Sequence, residues 1–247
     1  MSQRYHLGCG GRRLAGYVNV DLVKTPAVDL VADLNAPEFP QPGDAFFSHA
    51  FFEHLRRDNR VPHLRAVREA TTEDGFACYL GLPDFKRIAE LYLEGAPGAV
   101  GPVFDLYNVY RYTHGDPEMN QQDHGWDAQL HKSLFDPDEV GRLLRDAGWA
   151  SYVVFRYVFP GEARQLDLNL GLYATAGRRS VEQLQEDCLA YLADFDGTFI
   201  SVDTLSFQGG RSRPAAYARA TGIPQRRFVK RAAYAAAAKL ARHTHPA

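Results

Sequence analysis

Leu7-Gly8-Cys9-Gly10-Gly11, followed by Tyr17-Val18-Asn19-Val20-Asp21-Leu22 and then by Val31-Ala32-Asp33-Leu34, is the stretch that decides the fold. Two short apolar segments each end in a carboxylate downstream of a glycine turn, a pattern suited to a nucleoside group at the carboxyl edge of a parallel sheet. The glycines let backbone approach ligand, and a carboxylate can accept hydrogen bonds from two hydroxyls. Residues 5–7, 18–21 and 28–32 read as three strands, with too few residues between them for full crossover helices. Further on, 44–48 and 76–82 read as a fourth and fifth strand, separated by a helix over 51–70. Helices are expected over 84–94 and 136–149, the second opening on Asp136-Pro137-Asp138-Glu139 and stopping at Gly148. Residues 151–158 and 166–174 alternate as a closing hairpin.

These motifs, in this order, resemble the class I S-adenosylmethionine-dependent methyltransferase family, in its type 11-like branch acting on small molecules and sugars. The likeness continues through Phe52-Glu53-His54-Leu55, Gly75, Leu82-Pro83-Asp84-Phe85, His131-Lys132, Phe135 and Asp146-Ala147-Gly148-Trp149, and covers about residues 4–175. It implies an α/β, Rossmann-like seven-stranded sheet with a pared-down first half, an active-site insertion and a mainly helical C-terminal extension. It also implies S-adenosylmethionine as cofactor and S-adenosylhomocysteine as product. The residues it assigns to the cofactor are Leu7, Gly8, Cys9, Gly10, Asp21 on the ribose, Leu22, Asp33 near the adenine, Leu34 and His49. The chain departs from the pattern at His6, Arg12, Ala50 and Phe76.

Bulk composition sets bounds on the rest. With 247 residues, 45% of them hydrophobic, one main domain is expected, assigned to residues 1–176, with an extension over 177–247. Three widely spaced cysteines suit a reducing compartment, and no apolar stretch is long enough to span a bilayer, so a cytoplasmic protein without a signal peptide is expected. Cys9 reads as a small residue beneath the cofactor rather than a nucleophile. Nine of the 28 Lys and Arg lie from Gly209 onward, with no Asp or Glu among them, so tail and body carry opposite charge. Beyond the main domain a helix is expected over 181–193, 198–205 could be a strand, 209–214 reads as a linker, and the tail reads as a basic, alanine-rich helix over about 225–242. Three partners stay open for it: its own domain or a twin subunit, which the small alanines favour; an anionic membrane surface; or RNA, which the acidic body disfavours.

Methyl transfer is an in-line displacement, so positioning carries most of the catalysis, and a hydroxyl acceptor also benefits from a base. Three of nine histidines fall within 18 residues, with several aspartates between them. His124 and His131, with Asp123, are the catalytic candidates; Asp84, His114, Asp116 and Asp127 are further members of the set. His54 reads as structural or cofactor-adjacent rather than as a base. No tight metal-ligand motif is present, so no metal ligands are assigned, although Mg²⁺ or Zn²⁺ would be compatible with this density of carboxylates and imidazoles. Residues 95–131 form the least periodic segment and read as a lid or acceptor loop. Its Tyr107, Asn108, Tyr110, Tyr112, Gln121, Gln122 and Trp126 suit a small polar acceptor, a sugar above others. The rival readings are an RNA methyltransferase and a non-catalytic partner subunit of the same fold.

Overall fold

The fold is seen in a computed structural model that describes residues 3–115, 129–161, 164 and 166–212. His124 and Asp123, the loop residues Asp116, Gln121, Gln122, Trp126 and Asp127, and the basic tail lie outside the described residues. The strands are β1 (Gln3–Leu7), β2 (Val18–Asp21), β3 (Leu30–Val31), β4 (Gly43–His49), β5 (Thr71–Pro83), β6 (Ser151–Val158), β7 (Asn169–Thr175) and β8 (Ser201–Ser212). The helices are α1 (Arg60–Ala70), α2 (Phe85–Glu94), α3 (Leu106–His114), α4 (Pro137–Asp146) and α5 (Val181–Leu192). One eight-stranded sheet runs β3-β2-β1-β4-β5-β7-β6-β8. Its first five strands are parallel, and β7, β6 and β8 join through antiparallel pairings.

Strand alternation explains the layering. Phe46, Ala77, Tyr79 and Val154 face one side, where they pack with α1 and α4 through Leu64, Val67, Leu143 and Leu144. Phe47, Cys78, Leu80 and Val153, each one residue away, face the other side and meet Leu184, Cys188 and Leu192 of α5 with Phe195 and Phe199. Both faces of the central strands are therefore covered, as a doubly wound sheet requires. The Phe47 and Phe195 rings stack with centroids 4.5 Å apart.

The first half does lack crossover helices, and a buried amide takes over their cohesive work. Asn19 Oδ1 contacts His6 Nδ1 at 3.1 Å and accepts the Leu14 N–H at 2.8 Å. Its Nδ2 donates to the Leu14 and Tyr17 carbonyls and to Asp29 Oδ2. One fully satisfied buried side chain thus ties β1, the glycine loop and the approach to β3 together.

Three expectations change. The single helix over 51–70 is instead two short 3₁₀ turns, Phe52–His54 and Arg57–Asn59, followed by α1. Pro62 explains this, since proline is tolerated in a helix's first turn but would break a helix begun at 51. The sheet has eight strands rather than seven, because β8 pairs with β6. The segment 209–214, expected as a linker, is in that strand as far as Ser212. A Cβ at Gly210 would lie 3.0 Å from the Tyr152 carbonyl oxygen, a close approach that only glycine allows without a shift.

Candidate active site

Strand register builds the site. Leu7 pairs with Val20 and with Ser48, so the next residues, Gly8, Asp21 and His49, stand in one row beyond the carboxyl ends of β1, β2 and β4. The chain passes from β1 outward through β2 and β3 and then returns to β4 on the other side of β1, which makes this edge a topological switch point. A cleft of about 850 Å³ opens there. A second hollow of about 640 Å³, between α4 and β8, brings together none of the glycine-turn residues.

Gly8 and Gly10 adopt φ of +66° and +54°. The Gly8 and Cys9 amides both donate to the Val20 carbonyl, at 2.9 and 3.1 Å, which bends the chain across the end of β2. Asp21 Oδ2 accepts the Gly10 N–H at 2.7 Å and Oδ1 accepts the Val23 N–H at 3.3 Å. Each Asp21 oxygen keeps a second lone pair for a ligand hydroxyl. Asp33 Oδ1 takes the backbone and side-chain N–H groups of Asn35 at 2.9 and 2.7 Å, closing the turn after β3. Burial lifts the Cys9 thiol to about 11, so it is no nucleophile at neutral pH.

Of the residues assigned to the cofactor, Gly8, Cys9, Gly10, Asp21, Leu22, Asp33, Leu34 and His49 line the cleft. Leu7 does not; it is wholly buried in the core behind the turn. The His49 ring is held against Phe159 and Phe199, and burial, with the charge of Arg12, lowers it to about 4, so it is neutral at physiological pH.

Several lining residues had no signal in the sequence. Phe199 reaches the cleft from the segment after α5, with the Arg12 guanidinium 4.7 Å from its ring centre. Phe51 lines the opposite approach after Ala50, the one non-glycine residue at positive φ among those described (+52°). Ala50 is confined by Gly81, where a Cβ would stand 2.8 Å from the Ala50 nitrogen.

The expected catalytic residues separate. His131 is not on the cleft wall; it lies behind His54, the rings 5.4 Å apart, and it is His54 that faces the cleft with Lys132. Burial lowers His54, and it lowers His131 to about 4. Glu53, between these rings and the core, is 1% exposed, and burial raises its carboxyl to about 8. Asp84 is structural here: it caps α2 through the Lys86 and Arg87 amides and pairs with Arg156 at 2.5 Å. Asn108 is buried and spends its amide on the Val100 backbone and Asp105, so it holds the loop's shape rather than facing a ligand. No helix among the described residues is long and apolar enough to cross a membrane.

No family model and no curated protein matches this chain. Among solved structures, a DhpI complex with S-adenosylhomocysteine is 16% identical, with 72% of this chain and 78% of that chain covered and a TM-score of 0.41. A possible histamine N-methyltransferase from Thermotoga maritima is 11% identical, covering 71% and 82%, with a TM-score of 0.44. The glycopeptide N-methyltransferase MtfA is 16% identical, covering 71% and 81%, also with a TM-score of 0.44. Superpositions at this level assign neither family nor activity, and what the chain itself establishes is a doubly wound, Rossmann-like sheet with a cleft at its switch point.

Proposed function

We propose that this chain is an S-adenosylmethionine-dependent methyltransferase acting on a hydroxyl or amine of a small polar acceptor, with a sugar as the favoured class. The observation that carries the reading is the glycine turn locked to Asp21 by the 2.7 Å Gly10–Asp21 hydrogen bond, at the switch point of a largely parallel sheet. The residues present fit the cofactor. The positive-φ glycines bring backbone to the cleft surface, Asp21 keeps two acceptor sites for neighbouring hydroxyls, and the cleft volume falls within the range of cofactor sites.

Bound there, the cofactor supplies a methyl group on a positively charged sulfur. Gly8 and Gly10 orient it, Asp21 and Asp33 hold its polar groups at the strand ends, and Phe51 and Phe199 exclude water from the two sides. An amine acceptor needs only to arrive uncharged. For a hydroxyl acceptor, His124 and His131 with Asp123 remain the residues proposed to take the proton, His131 acting only where its Nε2 is uncommitted and His54 gives way.

Incubation with S-adenosylmethionine carrying a labelled methyl group, against sugars, amino sugars, small amines and RNA, tests this. The expected result is acceptor-dependent release of S-adenosylhomocysteine with a small polar molecule. Methylation confined to RNA would overturn the acceptor class, and cofactor binding without turnover on any acceptor would favour a non-catalytic subunit.

A further inference from the structure

Three possible metal-ligating side chains come together beside the cleft. Glu53, His54 and His131 each offer one ligand atom, all within 4.8 Å of one another, the one such cluster among the described residues. Glu53 and His54 are neighbours in sequence while His131 lies far along the chain, and the backbone joins the two parts: the Lys132 and Ser133 amides both donate to the Glu53 carbonyl, at 2.9 and 3.0 Å.

Both rings are already oriented. His54 Nδ1 lies 3.1 Å from the Leu130 carbonyl oxygen and His131 Nδ1 lies 3.1 Å from that of Tyr112. A carbonyl can only accept, so each Nδ1 carries the proton and each Nε2 is left with its lone pair. An imidazole anchored through one nitrogen to a backbone carbonyl is how metal-binding histidines are held. The third group is a carboxylate 1% exposed, whose Oε2 has no hydrogen-bond partner. Its Oε1 stands 3.8 Å from His54 Nε2, too far for a hydrogen bond. Burial favours the protonated Glu53 carboxyl while no ion is bound, so a cation joining it to the two Nε2 lone pairs would release that proton.

We propose that Glu53, His54 Nε2 and His131 Nε2 bind a divalent first-row transition ion of the Zn²⁺ type. Two imidazoles and a carboxylate are the donors such ions take, whereas Mg²⁺ and Ca²⁺ favour oxygen ligands throughout. A tetrahedral shell with bonds of about 2.1 Å sets ligand atoms roughly 3.4 Å apart, so side-chain rotation of about 1 Å closes the site. Gly115, at φ +77°, leaves the necessary room, because a Cβ there would stand 2.9 Å from His131 Nε2. His54 also lines the cleft. That an acceptor hydroxyl in the cleft would reach the ion rests on the methyltransferase reading; the metal site itself does not.

The test is a Co²⁺ titration of the 247-residue chain, stripped with a chelator and dialysed, without S-adenosylmethionine. One equivalent of Co²⁺ should bind with visible d–d absorption, Zn²⁺ should displace it, and Zn²⁺ should raise the melting temperature. Glu53→Gln and His131→Ala should each weaken binding by about 100-fold or more, while His114→Ala, outside the cluster, leaves it unchanged. Circular dichroism before titration excludes unfolding, and Glu53→Gln preserves side-chain volume if His131→Ala fails to fold. Absence of saturable absorption, or a signal unchanged in Glu53→Gln, would overturn the proposal. Cofactor binding without a Co²⁺ site would sink this inference alone, and a Co²⁺ site without cofactor binding would sink only the methyltransferase reading.

Discussion

Gly8→Ala and Gly10→Ala form an internally controlled pair. Both residues occupy the left-handed region, at φ +66° and +54°, so alanine costs about 1–2 kcal/mol of backbone strain at either. Their surroundings differ. At Gly8 a Cβ would stand 2.4, 2.5 and 2.6 Å from Phe51 Cγ, Cβ and Cδ2, whereas at Gly10 nothing lies within 4 Å. Phe51 cannot retreat freely, because its ring packs against the buried His63 ring at 5.6 Å. Overpacking of this kind adds about 1–3 kcal/mol. Gly8→Ala should therefore cost about 2–5 kcal/mol and Gly10→Ala about 1–2 kcal/mol. Urea denaturation of the three proteins, fitted with a common m-value, measures the difference. Equal losses, or a larger loss at Gly10, would refute the view that the turn is braced against Phe51.

Three further outcomes follow from buried groups. His63 is held neutral, donating from Nδ1 to the Leu34 carbonyl and accepting at Nε2 from the Tyr79 hydroxyl, and burial lowers it to about 4 from 6.5. Between those values the unfolded chain binds the extra proton, so stability is complete above pH 6.5 and declines as pH falls to 4, by about 3 kcal/mol in all. His63→Gln should flatten that acid limb in urea melts across pH; a gap from wild type that does not change with pH would count against it. Asp84→Ala leaves Arg156, itself only 13% exposed, without its principal partner and should cost about 3–5 kcal/mol by the same assay, with a loss below 1 kcal/mol contradicting the pairing. Phe199→Ala removes a wholly buried ring that packs on Phe47, His49 and Phe195 and should cost about 3–5 kcal/mol; near-normal stability would mean that the segment after α5 is not integral to the cleft.

Local chemistry is what the sequence displayed openly. The alternation of Phe46 with Phe47 and of Ala77 with Cys78 announced strands buried on both faces, and Asp84 and Asp136 announced the starts of α2 and α4. The glycine turn and the row Gly8, Asp21 and His49 were legible because motif spacing and strand register coincide. Pro62 bounds where α1 can begin, and its meaning is purely local. Glu53 and His131 lie 78 positions apart in the chain, and their meeting depends on the Lys132 and Ser133 amides reaching the Glu53 carbonyl. No periodicity carries that information. Phe199 was hidden for the same reason; β8 was legible only in its first half, because Gly210, which lets its second half approach β6, lies in a stretch that resembles a linker.

Calorimetric titration of the 247-residue chain with S-adenosylmethionine bears on the proposed activity more closely than any substitution alone. A saturable one-site isotherm with a Kd near the micromolar range, about −8 kcal/mol, is expected for wild type. In Asp21→Ala it should be weakened by about 1.5–3 kcal/mol, the worth of hydrogen bonds to a charged group. No saturable heat at millimolar cofactor, or an isotherm unchanged in Asp21→Ala, would contradict a cofactor seated on the glycine turn.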